Sequence, residues 1–495
     1  MKWRGARLRG RADGGIASIL SLLVSAMVIA GCSGGETGTG LTDQTGQTTN
    51  GPGVPDSGGK QVVVGEITGF GSVFVNGIEF ETGSSTVRIG NNPGSESDLA
   101  VGMVVAVYGD VDDSRQTGTA GVVAFENEVE GIVLANNYPA SLNVMGQIVI
   151  FDNDTVFESN IPGVTSIKDI SKKDHVEVSG FSTNTGTIYA TRITVTGNKR
   201  VADSYVVRGR IESLSLDNRQ FLIGGMSISY DAATVMAMDG PLHDGLLVKV
   251  VSTQAINGNQ PLYAQRIKAL AARDYEKPGA AAAIEMEGVV TSGLAGDQFQ
   301  LNDLIVQLND DTQLRNGARS DIVTGQKVKV MGSILADNAL HAERINIVKT
   351  SQLEIKSVIE SIDYMTNKLT VLGKVFSVNS MTIMKHDRMN PSEAIFNLAY
   401  LSPGDAIEIK GYADPDSDGF IATSLERGTN QTAGIEGVID NIQGDVLHIQ
   451  SIAINISQLP PGQFKADDVG RKVELDIESN SETGDVMATG YAYDD

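Results

Sequence analysis

The chain has 495 residues, with 38 Lys+Arg against 61 Asp+Glu and a formal net charge of −23. Nucleic-acid binding rests on basic neutralisation of phosphates, so a balance this acidic argues against nucleic acid as a partner. Cys32 is the only cysteine and Trp3 the only tryptophan, so an internal disulfide is excluded.

Lys2, Arg4, Arg7, Arg9 and Arg11 form a basic front end, followed by the apolar run 16–30. That run is too short to span a bilayer comfortably. It closes on Ile29-Ala30-Gly31-Cys32, which resembles the lipobox of bacterial lipoprotein signal peptides. The resemblance implies a signal peptide over 1–31, cleavage before Cys32, and lipidation of Cys32 on its thiol and its new amino group. Ser33 in place of Asp implies transfer to the outer membrane, with the body periplasmic or surface-exposed. The membrane is then a partner through the anchor: at about 0.8 kcal/mol per buried methylene, two or more acyl chains hold stably where one does not. Residues 32–60 read as the lipidated cysteine and a flexible tether, with nine Gly and six Thr between 33 and 60. Its r.m.s. reach is roughly 30 Å. Loss of 1–31 takes five basic and one acidic side chain and leaves the body at −27.

Beyond the tether the chain repeats itself. An opening strand recurs as VVVGEIT (62–68), EVEGIVL, VVRGRIE, EMEGVVT, EIKSVIE and GIEGVID, with its small landmark residue at Gly65, Gly131, Gly209, Gly288, Ser357 and Gly437. Each opening strand leads to a tight hairpin such as VFV-NG-IEF at 73 or FLI-GG-MSI at 221. Asn-Gly and Gly-Gly are the chemistry of two-residue turns that need positive φ. A variable stretch follows, then a strand such as VAVYG, VEVSG or VKVMG, and a last strand: GTIYATRIT, QPLYAQRIK, NALHAERINIV. In that last strand Ala190, Ala264 and Ala342 align, as do Arg192, Arg266 and Arg344. The alanine marks a close approach, and the arginine is expected to point outward and charge an edge.

Three strands, a variable segment and two more strands is the order of the OB-fold, a small five-stranded Greek-key barrel. The predicted architecture is all-β: a tandem array of about six OB-like modules after a flexible lipoprotein tether. They span 61–127, 128–200, 201–270, 284–350, 351–429 and 430–495, with an Ala-rich linker at 271–283. That linker is the expected weak joint, leaving two halves of three modules each. The slot for a short helix between strands three and four is filled in module five by NPSEAIFNLAYL (390–401), with Ser392 as its N-cap. VVVGEITGFGSVFVNGIEFET followed by DLAVGMVVAVYGDV, and DIVTGQKVKVMGSI with ALHAERINIV, resemble the bacterial lipoprotein family known as domain of unknown function 5666. The resemblance implies a small β-rich module in exported proteins and no activity.

Little here points to chemistry. The histidines, at 175, 243, 341, 386 and 448, share no metal-ligand spacing and read as surface residues. No nucleophile elbow, zinc-helix motif or phosphate loop occurs, and no acidic pair recurs from module to module. The expectation is therefore no enzyme and no cofactor, with calcium as one possible exception. DPDSDG places Asp414, Asp416 and Asp418 at alternate positions before a glycine, as at the start of an EF-hand loop, although Leu425 stands where the bidentate Glu belongs. Tyr189 and Tyr263 share one position in the last strand, either as stacking platforms or as half-buried strand aromatics. The function expected is an outer-membrane-anchored lipoprotein with a structural, adhesive or interaction role and a protein or glycan partner. A glycan- or cation-binding receptor is the alternative, and an enzyme with a non-local site comes third.

Overall fold

A computed structural model describes residues 61–493 except 91, 113–115, 184–185, 198–204, 239, 255–259, 271–282, 303, 336–338, 386–396, 429–431 and 480–484. Cys32 with the rest of 1–60, most of the 271–283 linker, His386 and Ser392 lie outside the described residues.

Module four shows the common plan. Its five main strands are Ala283–Ala295, Gln298–Leu301, Leu304–Gln307, Lys327–Ile334 and Leu340–Ile347. The first pairs antiparallel with the second and the fourth, the second with the third, and the fourth with the fifth. A parallel pairing of the third with the fifth closes the ring. This is the OB order, 1-2-3-5-4 and back to 1, and it recurs in the other modules, including the sixth. Alternation fills each barrel. Phe299, Leu301, Leu304 and Val306 are buried while Ile305 between them is 44% exposed. Each buried aliphatic or aromatic side chain contributes about 1.5–3 kcal/mol.

The hairpins turn as their sequences require. Asn76 and Gly77 have φ of 56° and 87°, and Gly224 and Gly225 have 53° and 85°. Met145 and Leu372 take the same left-handed corner at 52° and 48° without being Gly or Asn. Both side chains are buried, which offsets the strain of an L-residue there.

The recurring alanine has a specific cause. The register between fourth and fifth strands shifts in module four between Met331 and Gly332, and Gly332 then faces Ala342. A Cβ on Gly332 would lie 2.0 Å from the carbonyl oxygen of His341, so only glycine fits under this bulge. Gly109 and Gly180 face the same arrangement. On its other side the alanine carbonyl accepts a threonine hydroxyl: Thr155 to Ala190 (2.9 Å), Thr234 to Ala264 (2.7 Å), Thr312 to Ala342 (2.8 Å) and Thr382 to Ala422 (2.8 Å). Each threonine ends an Asp/Asn-x-x-Thr corner. The first residue caps the corner, as when Asp152 Oδ1 accepts the Asp154 N–H at 3.0 Å. The corner starts a short lateral strand parallel to the end of the fifth, for example Val156–Ser159 beside Arg192–Val195.

Among the described residues no α-helix occurs. The helix slot holds single 3-10 turns, such as Ile167–Asp169 and Arg319–Asp321. The side chain of Asp169 accepts the N–H of Ser166 (3.0 Å) and that of Asp321 the N–H of Ala318 (2.9 Å). In module five the expected helix over 390–401 is described only from residue 397, where a 3-10 turn, Leu398–Tyr400, is capped by Asn397. Leu398 in this turn and Leu401 just after it are both buried in the core shared by modules five and six.

The modules follow one another in tandem, and modules distant in sequence also pair. The first strands of modules one and four pair in parallel, Gln61–Val64 against Ala283–Met286. Those of modules five and six pair antiparallel over Leu353–Lys356 and Gly434–Gly437. Modules two and three meet at Val206 and Glu130. The one-four pairing ties the chain before the 271–283 linker to the chain after it. This pairing runs against the expectation of two separable halves, which a cut in the linker would test.

Candidate functional site: the junction between modules

The first and fourth strands turn their outer faces to these seams, and their outward residues differ by seam. Val62, Val64, Ala106, Tyr108 and Val122 of module one join Ile284 and Met286 in one apolar cluster. A void of about 10 Å3 lies there, beside Val63, Ile78, Ile284 and Met331. The two-three seam is ionic, with Arg208 Nη1 2.7 Å from Glu128, and Lys249 Nζ lies 3.1 Å from Glu126 at the end of module one. In the five-six seam Glu354 is held by Lys356 (2.9 Å) and Lys410 (3.1 Å). Burial alone would raise the Glu354 carboxyl, but Lys410 and Lys356 outweigh it and bring it to about 2.

Two Asp/Asn-x-x-Thr corners cross from one pair of modules to another. Asp154 of module two accepts the Ser351 N–H (2.9 Å) and the Thr423 hydroxyl (3.0 Å) of module five. Its neighbour Asn153 accepts Lys410 Nζ (2.9 Å) on its carbonyl and Lys472 Nζ (3.1 Å) on its side chain. The equivalent corner of module five reaches modules one and four: the Ser380 carbonyl accepts the Thr68 hydroxyl (3.0 Å), and Met381 Sδ lies 3.1 Å from Lys329 Nζ. Module one closes onto module two, where Thr191 donates to the Gly102 carbonyl at 2.7 Å and Arg192 to the Val101 carbonyl at 2.9 Å.

Glu66 sits where these contacts converge. It is 6% exposed, and its Oε1 has no hydrogen-bond partner among the described residues. Burial lifts its carboxyl to about 8; Lys327 and Lys329 oppose the rise, while Glu287 and Asp154 add to it. Lys327 would be lowered by the same burial, but Asp152, Glu66, Glu287 and Asp154 hold its ammonium above the ordinary lysine value. Lys385 is depressed by burial, with Glu426 only partly restoring it. The arrangement locks five modules together through charge. It also holds the Glu66 carboxyl well above the ordinary carboxylate range, chiefly through burial.

The sequence-predicted residues fall elsewhere. Asp414 forms a local turn: its carboxylate accepts the Asp416 N–H (3.0 Å) and the Ser417 hydroxyl (2.7 Å), and the Ser417 bond lowers its pKa. A cation at Asp414, Asp416 and Asp418 would have to compete with those bonds. Among the described residues no group of three or more His, Cys, Asp or Glu is placed to hold a metal ion. Tyr189 and Tyr263 are both half-buried, and the Tyr263 hydroxyl donates to Asp231 at 2.9 Å. Arg192, expected to point outward, is only 7% exposed, and burial lowers its guanidinium to about 10. It lies in the seam between modules one and two and also pairs with Glu158. His175, read as a surface residue, is 3% exposed and meets the edge of Tyr205 at 5.7 Å, between modules two and three.

The family model described as Domain of unknown function (DUF5666) matches residues 63–121, 130–194, 208–268, 287–346 and 356–426. The chain belongs to this family. The matched segments are DUF5666 modules one to five, and the unmatched module six shares their strand order. No protein of curated function matches the sequence significantly. Among solved structures, the chain is similar to "drosophila Unr CSD456" at 13% identity and a TM-score of 0.17, covering 42% of this chain and 96% of that one. It is also similar to a multidomain protein with nucleic acid binding domains from Streptococcus pneumoniae, at 9% identity and a TM-score of 0.12, covering 42% and 72%. At scores this low neither likeness bears on partner or activity.

Proposed function

We propose that this DUF5666 chain is a non-enzymatic interaction platform of the cell envelope, held to the outer membrane by lipid on Cys32. Its contacts lie on the turns between first and second strands. The observation that carries this reading is Met365, which is 95% exposed on a turn that is nevertheless fixed. Asp363 accepts the N–H of Met365 (2.9 Å) and the hydroxyl of Thr366 (2.7 Å). Tyr364, half exposed beside it, donates its hydroxyl to the Leu401 carbonyl at 2.7 Å. A pre-ordered apolar tip loses little entropy on binding, which is where affinity is gained cheaply. The equivalent turns of modules two and three carry exposed Tyr138 and Leu216. The net charge of −23 supports a protein partner over phosphate polymers.

The test is a photo-crosslinking side chain placed at Met365 in cells, with Gly296 on the equivalent turn of module four as the comparison. A discrete protein adduct is expected at 365 and not at 296. No adduct at 365, or equal labelling at both, would refute the platform. A glycan receptor is the second reading, favoured only by exposed Tyr364 and Tyr400, which are 50% exposed each. It predicts a glycan-mass adduct at the same position.

A further inference from the structure

Lys249, Lys356, Lys410 and Lys472 each lie within 3.1 Å of a carboxylate. Lys168, Lys172 and Lys173 of module two do not: all three are exposed, and none has a carboxylate partner among the described residues. They lie in and just after the 3-10 turn Ile167–Asp169. The same slot is acidic in module one (Glu96–Asp98) and module six (Ala466–Asp468), and uncharged in module five (Leu398–Tyr400). In module four its cation, Arg319, is taken by Asp297 at 2.8 Å. The two aspartates among the lysines are turned onto their own loop. Asp169 accepts the N–H groups of Thr165 (2.9 Å) and Ser166 (3.0 Å), and Asp174 accepts that of Ser171 (2.8 Å). This basic turn is fixed to an aromatic one. Asn136 Nδ2 donates to the carbonyls of Ile167 and Ile170, both at 2.9 Å, and its Oδ1 accepts the Tyr138 N–H at 3.0 Å. Tyr138 is 39% exposed, stacks on Phe151 with ring centroids 6.0 Å apart, and has Lys168 Nζ 6.0 Å from its own centroid.

We propose that this surface binds an acidic peptide segment of a partner protein, with carboxylates on Lys168 and Lys172 and an apolar side chain against Tyr138. The proposal rests on the reading that the turns between first and second strands are contact sites, and it names the partner's chemistry at module two. Charge complementarity supplies the first argument: three exposed cations without partners, on a chain of net charge −23, select a segment of opposite sign. The second is the ordered tyrosine beside them, since a rigid exposed aromatic next to a cation is a recurrent anchor of protein contacts. The third separates a peptide from other polyanions. Residues 168–174 carry three lysines and two aspartates, so an anionic membrane or an acidic polysaccharide meets both signs at once. A peptide can set one carboxylate on each ammonium and leave Asp169 and Asp174 to their own loop. Exposed ion pairs are weak singly and screened by salt, so the contact is of modest affinity and salt-sensitive.

The experiment is fluorescence anisotropy of a short labelled Glu/Leu peptide titrated with the full chain in nonionic detergent. Saturable binding with a Kd below about 1 mM is expected at low salt, weakening at least about tenfold in about 0.5 M salt. Lys168→Glu combined with Lys172→Glu should weaken it at least about tenfold with the melting temperature unchanged. Lys349→Glu, at an exposed lysine between modules four and five, should leave it as in the parent. A parent that does not bind the peptide at about 2 mM overturns the proposal, and so does binding that the double variant leaves unchanged. Displacement of the label by polygalacturonate, or by micelles containing phosphatidylglycerol, as effectively as by unlabelled peptide at equal charge would also overturn it, in favour of a general polyanion surface. The assay reads module two alone, so its failure leaves the crosslink at Met365, and with it the platform, standing.

Discussion

The backbone N–H of Glu66 donates to Oε2 of Glu287 at 3.2 Å, joining residues 221 positions apart in the sequence. Burial in this seam requires the Glu66 carboxyl to keep its proton to a higher pH than a free one, and the nearby Glu287 carboxylate adds to the rise.

That requirement makes stability depend on pH. The unfolded chain releases the Glu66 proton near 4.5, whereas the folded protein keeps it up to about 8. The contribution is therefore complete below 4.5 and is lost as pH rises toward 8, by at most about 1.4 kcal/mol per unit. Glu66→Gln keeps the neutral shape and should flatten the fall in melting temperature between pH 5 and 8. Equal slopes in parent and variant would show that Glu66 is ionised in the fold.

Asp154 should act as a rivet. Asp154→Ala leaves the Ser351 N–H and the Thr423 hydroxyl without their acceptor, at a cost of about 1–3 kcal/mol. Hydrogen exchange at the Ser351 amide should accelerate, while amides in the strand Gln298–Leu301 of module four stay protected. An unchanged rate at Ser351 would mean that modules two and five are not joined through this loop.

The bulge glycine is open to a simple comparison. Gly332→Ala forces a methyl against the His341 carbonyl and should destabilise by about 1–3 kcal/mol or more. Gly83→Ala, with nothing within 4 Å, should stay within about 0.5 kcal/mol of the parent. Equal effects would remove the steric account of the fourth-strand glycine.

Much of one module could be read from the sequence, and little of how modules meet. The strands alternate with period two, and the Asn-Gly and Gly-Gly turns need positive φ at Gly77 and Gly225; both signals are local. The Asp/Asn-x-x-Thr corner was also visible, as DNDT, DAAT, NDDT and NSMT, yet it sat in what looked like a variable stretch. Its constant part is a threonine whose partner, the alanine carbonyl, lies 30 to 40 residues further on. Arg192 looked like an edge charge because nothing local shows that Val101 covers it. The one-four pairing did leave a trace. QVVVG is apolar on both faces of its strand, the pattern of a strand covered on both sides, but EIKSV alternates with charge although it too pairs with another module. Apolar character tells which seam is greasy, not which strands have a second partner or that the partner is about 220 residues away.

The interlocking of the chain is tested most directly by one cut. A protease site inserted within 271–282 divides the polypeptide between modules three and four, while the one-four seam and the Asp154 and Ser380 corners still bridge the cut. The cleaved protein is predicted to elute as a single species of full mass at low micromolar concentration, and to separate only in denaturant. Two folded fragments of three modules each, eluting apart without denaturant, would contradict it.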